Sequence, residues 1–126
     1  MAERVIHFVL SRYPRCYVYT HRHPQREAEV VYVGKGTRGR AWADTRRSPD
    51  HRRWLRDWQT LGFAPDEFVR IERRKLTSME AAKQERELIA FYRQQGALLF
   101  NKCRSGKWHV RTYYNKWMPD PKFGKL

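Results

Sequence analysis

With 126 residues, and 27 Lys and Arg against 13 Asp and Glu for a net charge of +14, the chain is long enough for one modest core and too short for two. That excess, with a sequence pI near 10.4, points to a polyanionic partner; nucleic acid suits it better than an anionic membrane, because the arginines mix with Trp and Tyr instead of lining one face of a long apolar helix. No run approaches the roughly 20 apolar residues that span a bilayer, no secretory leader is recognisable, and Cys16 and Cys103 lack metal-ligand spacing, so the expectation is a cytoplasmic protein without a membrane partner.

Residues 1–15 hold one apolar run, Val5 to Leu10, predicted as a strand in an N-terminal extension that Pro14 ends. Residues 16–21 and 29–34 are β-rich, and the polar stretch from His21 to Glu29 between them predicts a hairpin with a long loop. Gly34, Gly36 and Gly39 mark a tight turn before a short helix over Arg40 to Asp44. Ser48 followed by Pro49 is a helix start, and that helix should run to about Thr60 before Gly62 stops it. Phe68 to Arg73 alternates Val69 and Ile71 with Arg70 and Glu72, the pattern of a half-buried strand. A longer helix follows from about Ser78 to Gln95, closed by Gly96, and Ala97 to Asn101 reads as a short buried strand. The last segment, residues 102–126, is a tail with seven Lys or Arg, one acid and five aromatics. The sum is a small α/β domain of the α+β kind, an antiparallel sheet of about three strands with helices packed on it.

Glu85 breaks the pattern of its own helix. Thr77, Ser78, Met79 and Glu80 form a capping-box start, and the buried stripe that follows is Ala81, Ala82, Leu88, Ile89 and Tyr92, with position 85 inside it. A carboxylate facing a core is costly unless paired, neutralised or holding a cation. Its candidate partners are upstream: Tyr17, Val18 and Tyr19 in one strand, Val31, Tyr32, Val33 and Gly34 in the next, then Lys35, Gly36 and Arg40. One acid, tyrosines, a lysine and an arginine are a set suited to phosphate chemistry.

In that order, Tyr17-Val18-Tyr19, Tyr32-Val33-Gly34-Lys35-Gly36, Arg40, Glu85 and Leu98-Leu99-Phe100-Asn101 resemble the GIY-YIG endonuclease domain over residues 16–101, and in particular its Gly-Lys-Gly variant, to which Asp50-His51-Arg52-Arg53-Trp54 is also similar. The resemblance implies a three-stranded antiparallel sheet flanked by helices and a metal-dependent DNA endonuclease. In it Tyr19 and Tyr32 are the motif tyrosines, Arg40 the catalytic arginine, Glu85 the ligand of one Mg²⁺ or Mn²⁺ ion, and Asn101 the closing structural or active-site asparagine. Two departures stand out. Tyr17 replaces a glycine of the first motif, where it would narrow the groove or stack on substrate, and Val18 and Val33 replace isoleucines. The loop from Tyr32 to Arg40 is also about two residues shorter than in many members, which leaves Arg38 as a rival for the arginine role.

Phosphodiester hydrolysis needs a deprotonated water, a counter-charge for the transition state and stabilisation of the leaving oxygen. Glu85 offers Mg²⁺ a hard oxygen, Arg40 a bidentate fork for the phosphate and Lys35 a second positive point. Tyr19 or Tyr32, its phenolate favoured by these charges, would be the general base; the sequence does not choose between them. His51 either contacts a phosphate, assists catalysis or is structural. Arg38, Arg46, Arg47, Arg52, Arg53 and Arg56 form a basic stretch suited to gripping phosphates around Gly34, and Lys107 and Trp108 lead a tail that could track a backbone and stack on bases. His21 and His23 alternate like metal ligands but fall in the expected loop with no third ligand nearby. The expected partner is DNA, branched and RNA-containing forms included, bound by a monomer or a DNA-induced dimer. Two other classes compete: a catalytically weak nucleic-acid-binding module that keeps the fold, and a small ribosome-associated basic protein, which would not need an acid at position 85.

Overall fold

The computed structural model describes residues 14–101. Two strands, β1 (Cys16–His23) and β2 (Arg26–Gly36), form an antiparallel hairpin, and β3 (Val69–Leu76) pairs with the other edge of β1 to give the order β2-β1-β3. Helix α1 (Pro49–Thr60) lies between β2 and β3 in sequence, and α2 (Ser78–Gln94) follows β3. The fold class is the expected one, α+β with a three-stranded antiparallel sheet. The expected N-terminal strand and the tail with Lys107 and Trp108 lie outside the described residues. Among the described residues, no helix is long and apolar enough to cross a membrane.

The hairpin loop is shorter than predicted, because only Pro24 and Gln25 separate the strands. His21 and His23 look like loop residues by polarity, yet both are buried, continuing the inward row of Tyr17 and Tyr19 at a period of two. Opposite them, His21 pairs with Tyr32 but Arg22 pairs with Val30, so Val31 is an extra, bulged residue. The bulge turns the Val31 carbonyl outward, where the Phe100 amide donates to it at 2.7 Å.

Two cores flank the sheet. Val18, Val30, Val33 and Leu76 pack with Ala81 and Leu99, backed by Leu88, Ile89 and Tyr92, so α2 covers this face. Arg22 joins the same face, donating to Glu72 at 2.6 Å and to the Tyr92 hydroxyl at 2.9 Å. On the other face α1 buries His51, Trp54, Leu55 and Trp58, spaced three, four and seven residues from the first, as a helix half-sunk in a core requires. Trp54, Leu55 and Trp58 pack with Val31, Phe63, Phe68 and Phe100, while His51 and Trp58 reach back to His21 and His23 of β1. Both helix starts are as predicted: Ser48 accepts from the His51 amide, and Thr77 and Glu80 bond each other reciprocally. The short helix after the glycines is a single 3-10 turn, Arg40–Trp42, shorter than predicted because the chain turns away to bind its own carbonyls through Arg40.

Ala97 to Asn101 is not a strand, contrary to expectation. It runs beside the outer edge of β2, but the Asn101 side chain replaces the ladder: its Oδ1 accepts from the Val33 amide at 3.0 Å and its Nδ2 donates to the Val33 carbonyl at 2.7 Å. At the opposite edge, β3 carries exposed Arg70, Arg73, Arg74 and Lys75, a row of like charge that discourages edge-to-edge pairing.

Candidate active site

Beyond the stretch that α1 covers, its side of the sheet is aromatic. Tyr17 and Tyr19 stand side by side on β1 with ring centroids 5.8 Å apart, and Tyr19 lies 6.1 Å from Tyr32 on β2. Register places Gly34 directly opposite Tyr19 and Gly36 opposite Tyr17. A Cβ on Gly34 would come within 2.5 Å of the Tyr19 ring and hydroxyl and 2.7 Å of Tyr32; one on Gly36 would come within 2.6 Å of the Arg40 side chain. Both glycines are thus needed for close approach, and they let two tyrosines and an arginine settle directly on the strand.

The loop after β2 is fastened over this face. The Tyr17 hydroxyl donates to the Arg38 carbonyl at 2.7 Å and accepts from the Ala41 amide at 2.9 Å. Tyr17 is therefore a buried anchor for the loop, neither stacking on nor narrowing a groove from the surface as predicted, because its ring is enclosed by Tyr19 and Trp42. Arg40 donates from Nη1 to the Thr45 carbonyl at 2.7 Å and from Nη2 to that of Arg46 at 2.9 Å, which leaves three of its five N–H groups for a ligand. Arg38 and Arg46 both hold a left-handed backbone, with φ of 53° at each, and both side chains are exposed.

Arg47 is the residue sequence reasoning missed. Read as one more phosphate-gripping surface arginine, it is instead 8% exposed, donating to the Tyr19 hydroxyl at 2.6 Å, the Arg40 carbonyl at 2.7 Å and the Ala43 carbonyl at 3.1 Å. Its guanidinium also stands 5.5 Å from the Tyr19 ring centroid and 5.3 Å from that of Tyr32, within cation–π range. Nothing in its neighbourhood in sequence separates it from Arg46; only the geometry of the loop does.

Tyr19 reverses an expectation. Burial, reinforced by the neighbouring Tyr32 and only partly opposed by Arg47, pushes its hydroxyl up to about 12. At neutral pH it is a neutral phenol, not the favoured phenolate. Tyr32 is only half-buried and lies more open than Tyr19.

Beneath the tyrosines lies a buried histidine pair. The Ala41 carbonyl can only accept, so His21 Nε2 carries the proton that reaches it at 2.8 Å. Burial drives His21 down to about 3 and holds His51 well below the usual imidazole range, so both are neutral. Unprotonated His21 Nδ1 must then accept from His51 Nε2–H, also at 2.8 Å. His51 stacks on Phe100 at 4.9 Å and is enclosed there, so it does not reach a phosphate at the surface. Arg52 and Arg53, on the same helix, are half-buried and exposed respectively.

Glu85 sits at the remaining side. Its carboxylate accepts from the Lys35 backbone amide and faces the charges of Lys35 and Arg86, yet burial outweighs these and raises its pKa. The Lys35 amide is next in line along the β2 edge after the Val31 carbonyl, taken by Phe100, and the Val33 amide and carbonyl, taken by Asn101. Glu85 and Asn101 thus share a structural duty, capping the unpaired edge of β2. Three consecutive residues, Gly34, Lys35 and Gly36, touch Tyr19, Tyr32, Glu85 and Arg40 between them.

No family model, curated protein or solved structure matches this chain. Among the described residues no three His, Cys, Asp or Glu converge, and that applies to His21 and His23 as well. The site therefore offers a cation one carboxylate. That suits Mg²⁺, which keeps most of its waters and takes one or two carboxylates plus substrate oxygens, and a half-buried carboxylate whose charge is under-compensated has reason to accept one.

Proposed function

We propose that the chain is a metal-dependent endonuclease of the GIY-YIG type, acting in the cytoplasm on phosphodiester bonds of DNA. The observation that carries the reading is the convergence on Gly34-Lys35-Gly36: two tyrosines, an arginine with spare N–H groups and a carboxylate all meet three residues of one strand. A structural sheet edge needs the carboxylate but not the arginine or the glycines that admit it.

In this reading Arg40 binds a non-bridging oxygen of the scissile phosphate through its free N–H groups, held in aim by the Thr45 and Arg46 carbonyls. Tyr19, buried and kept neutral, does not reach the phosphate; it accepts from Arg47 and so positions the loop that presents Arg40. Tyr32, the more open ring, gives its own proton to solvent and, as phenolate, takes one from the attacking water. Lys35 adds positive charge at the strand, and Glu85 would hold Mg²⁺ or Mn²⁺, which when bound supplies Lewis-acid stabilisation of a phosphate oxygen. His21 and His51 do not touch substrate; they support Ala41 and Tyr32 from below.

One observation favours a second reading, a nucleic-acid-binding module that keeps the fold without strong catalysis: Glu85 and Asn101 both have structural work at the β2 edge. Glu85→Gln separates the two, because its amide oxygen still accepts from Lys35 while the charge is gone. On supercoiled plasmid and a branched DNA with Mg²⁺, the nuclease reading expects cutting by the wild type and at least about 100-fold slower cutting by Glu85→Gln at equal binding. Binding by both with cutting by neither would favour the module.

A further inference from the structure

Three large hydrophobic side chains are exposed among the described residues, Trp42, Met79 and Phe91; the latter two lie on α2, while Trp42 stands at the rim of the tyrosine face. It follows Arg40 by two residues in the same 3-10 turn. Its ring is not loose. The indole N–H donates to Asp66 at 2.9 Å, and the ring rests edge-on against Tyr17 at 6.2 Å, so position and tilt are both fixed while 37% of the residue stays open. Tyr17 in turn is tied to the Arg38 carbonyl, and, among the described residues, Arg38, Arg15 and Thr37 line a hollow of about 240 Å³.

We infer that Trp42 is a stacking platform for an unpaired nucleobase of the bound strand, seated next to the phosphate that Arg40 would hold. The inference rests on the nucleic-acid reading above and adds to it the substrate class: single-stranded, frayed or branched segments over intact duplex. Several features support it. An indole face has something to offer every base, whatever its sequence. Preordering by Asp66 and Tyr17 removes the rotamer cost that a free Trp would incur on stacking. Asp66 borders the N–H edge and repels phosphate there, while the exposed side chains of Arg38 and Arg46 on the same loop attract it. In a duplex each base already has two stacked neighbours, so its face is not available to Trp42 without the cost of unstacking.

The test needs no catalysis, so it is independent of whether the protein cuts. The full chain is titrated without divalent ions against a single-stranded oligonucleotide carrying 2-aminopurine and against the same sequence as duplex, reading anisotropy for affinity and 2-aminopurine quenching for stacking. The expected result is that the wild type prefers the single strand at matched salt, and that Trp42→Ala weakens single-strand binding about 10- to 100-fold, abolishes the added quenching and leaves duplex binding within about 2-fold. Trp42→Phe, which keeps a ring against Tyr17, should restore most of both. Arg38→Ala should weaken single strand and duplex alike. Equal losses on the two substrates in Trp42→Ala, no loss on either, or a wild type without single-strand preference would each overturn the inference. Unchanged duplex binding also shows that Trp42→Ala is folded.

Discussion

Arg47 and Tyr19 are bound twice over: Nη1 meets the phenolic oxygen at 2.6 Å, and the same guanidinium lies 5.5 Å from the ring centroid. With its other bonds to the Arg40 and Ala43 carbonyls, Arg47 is the piece that joins the tyrosine face to the loop presenting Arg40. Truncation to Met leaves a buried phenol and two carbonyls without their donor. Arg47→Met is expected to lower unfolding free energy by about 2–4 kcal/mol, read as a shift in urea midpoint, with Arg47→Lys falling between because an ammonium cannot reproduce the fork.

Gly34→Ala and Gly39→Ala form a matched pair. The first puts a methyl 2.5 Å from Tyr19, whose ring is packed and cannot withdraw, so a loss of about 1–3 kcal/mol is expected together with displaced tyrosine packing. The second meets nothing within 4 Å and sits at φ −88°, so thermal unfolding should find it neutral or slightly stabilised.

The neutral histidine pair fixes the acid side of the stability curve. The folded pKa values of His21 and His51 lie below the unfolded value near 6.5, so as pH falls the unfolded chain takes up protons that the folded one refuses. Stability should be level above about pH 7 and then decline by about 1.4 kcal/mol per pH unit for each histidine, His21 continuing down to about pH 3. Tyr19 works in the opposite sense: its folded pKa is raised, so the stability it contributes is present below pH 10 and is lost as pH rises toward about 12. Urea midpoints from pH 5 to 8 check the first limb. A slope unchanged in His51→Gln would refute the assignment.

Asn101→Asp tests the edge cap. The substitution keeps an acceptor for the Val33 amide but sets an oxygen against the Val33 carbonyl, where Nδ2 now donates at 2.7 Å. A destabilisation of about 1–3 kcal/mol is expected, at least as large as that of Asn101→Ala, with the amides of β2 losing hydrogen-exchange protection ahead of those of β1.

Capping signals and hydrophobic period were enough to find both helices, because Ser48-Pro49 and Thr77 with Glu80 act locally and the structure uses them as written. The β1–β2 hairpin was legible in type but not in length, since polarity disguised His21 and His23, whose burial depends on a histidine partner thirty residues away in the first case and on Trp58 in the second. Ala97 to Asn101 looked like a strand because its apolar residues do face a core; that a side-chain amide would replace the ladder is invisible to any period. Glu85 was marked by its position in a buried stripe, and its half-burial agrees, whereas Arg47 was one arginine among several until loop geometry singled it out. Tyr19 stands between Tyr17 and Tyr32 on the aromatic face, but its protonation differs from the phenolate expected, because desolvation is a property of the folded surroundings and not of the neighbours in sequence.

Strand parity sorts the candidate site. Along β2 the even positions Tyr32, Gly34 and Gly36 lie opposite His21, Tyr19 and Tyr17 on the aromatic face, while the odd positions Val31, Val33 and Lys35 turn backbone groups outward to Phe100, Asn101 and Glu85. Deleting one residue from this stretch would exchange the two sets, presenting Val33 to Tyr19 and turning the glycines to the edge. The tyrosine half and the carboxylate half of the site therefore stay in phase only while the count from the bulge at Val31 to Gly36 is kept, and the proposed chemistry would depend on the length of that segment as much as on any side chain in it.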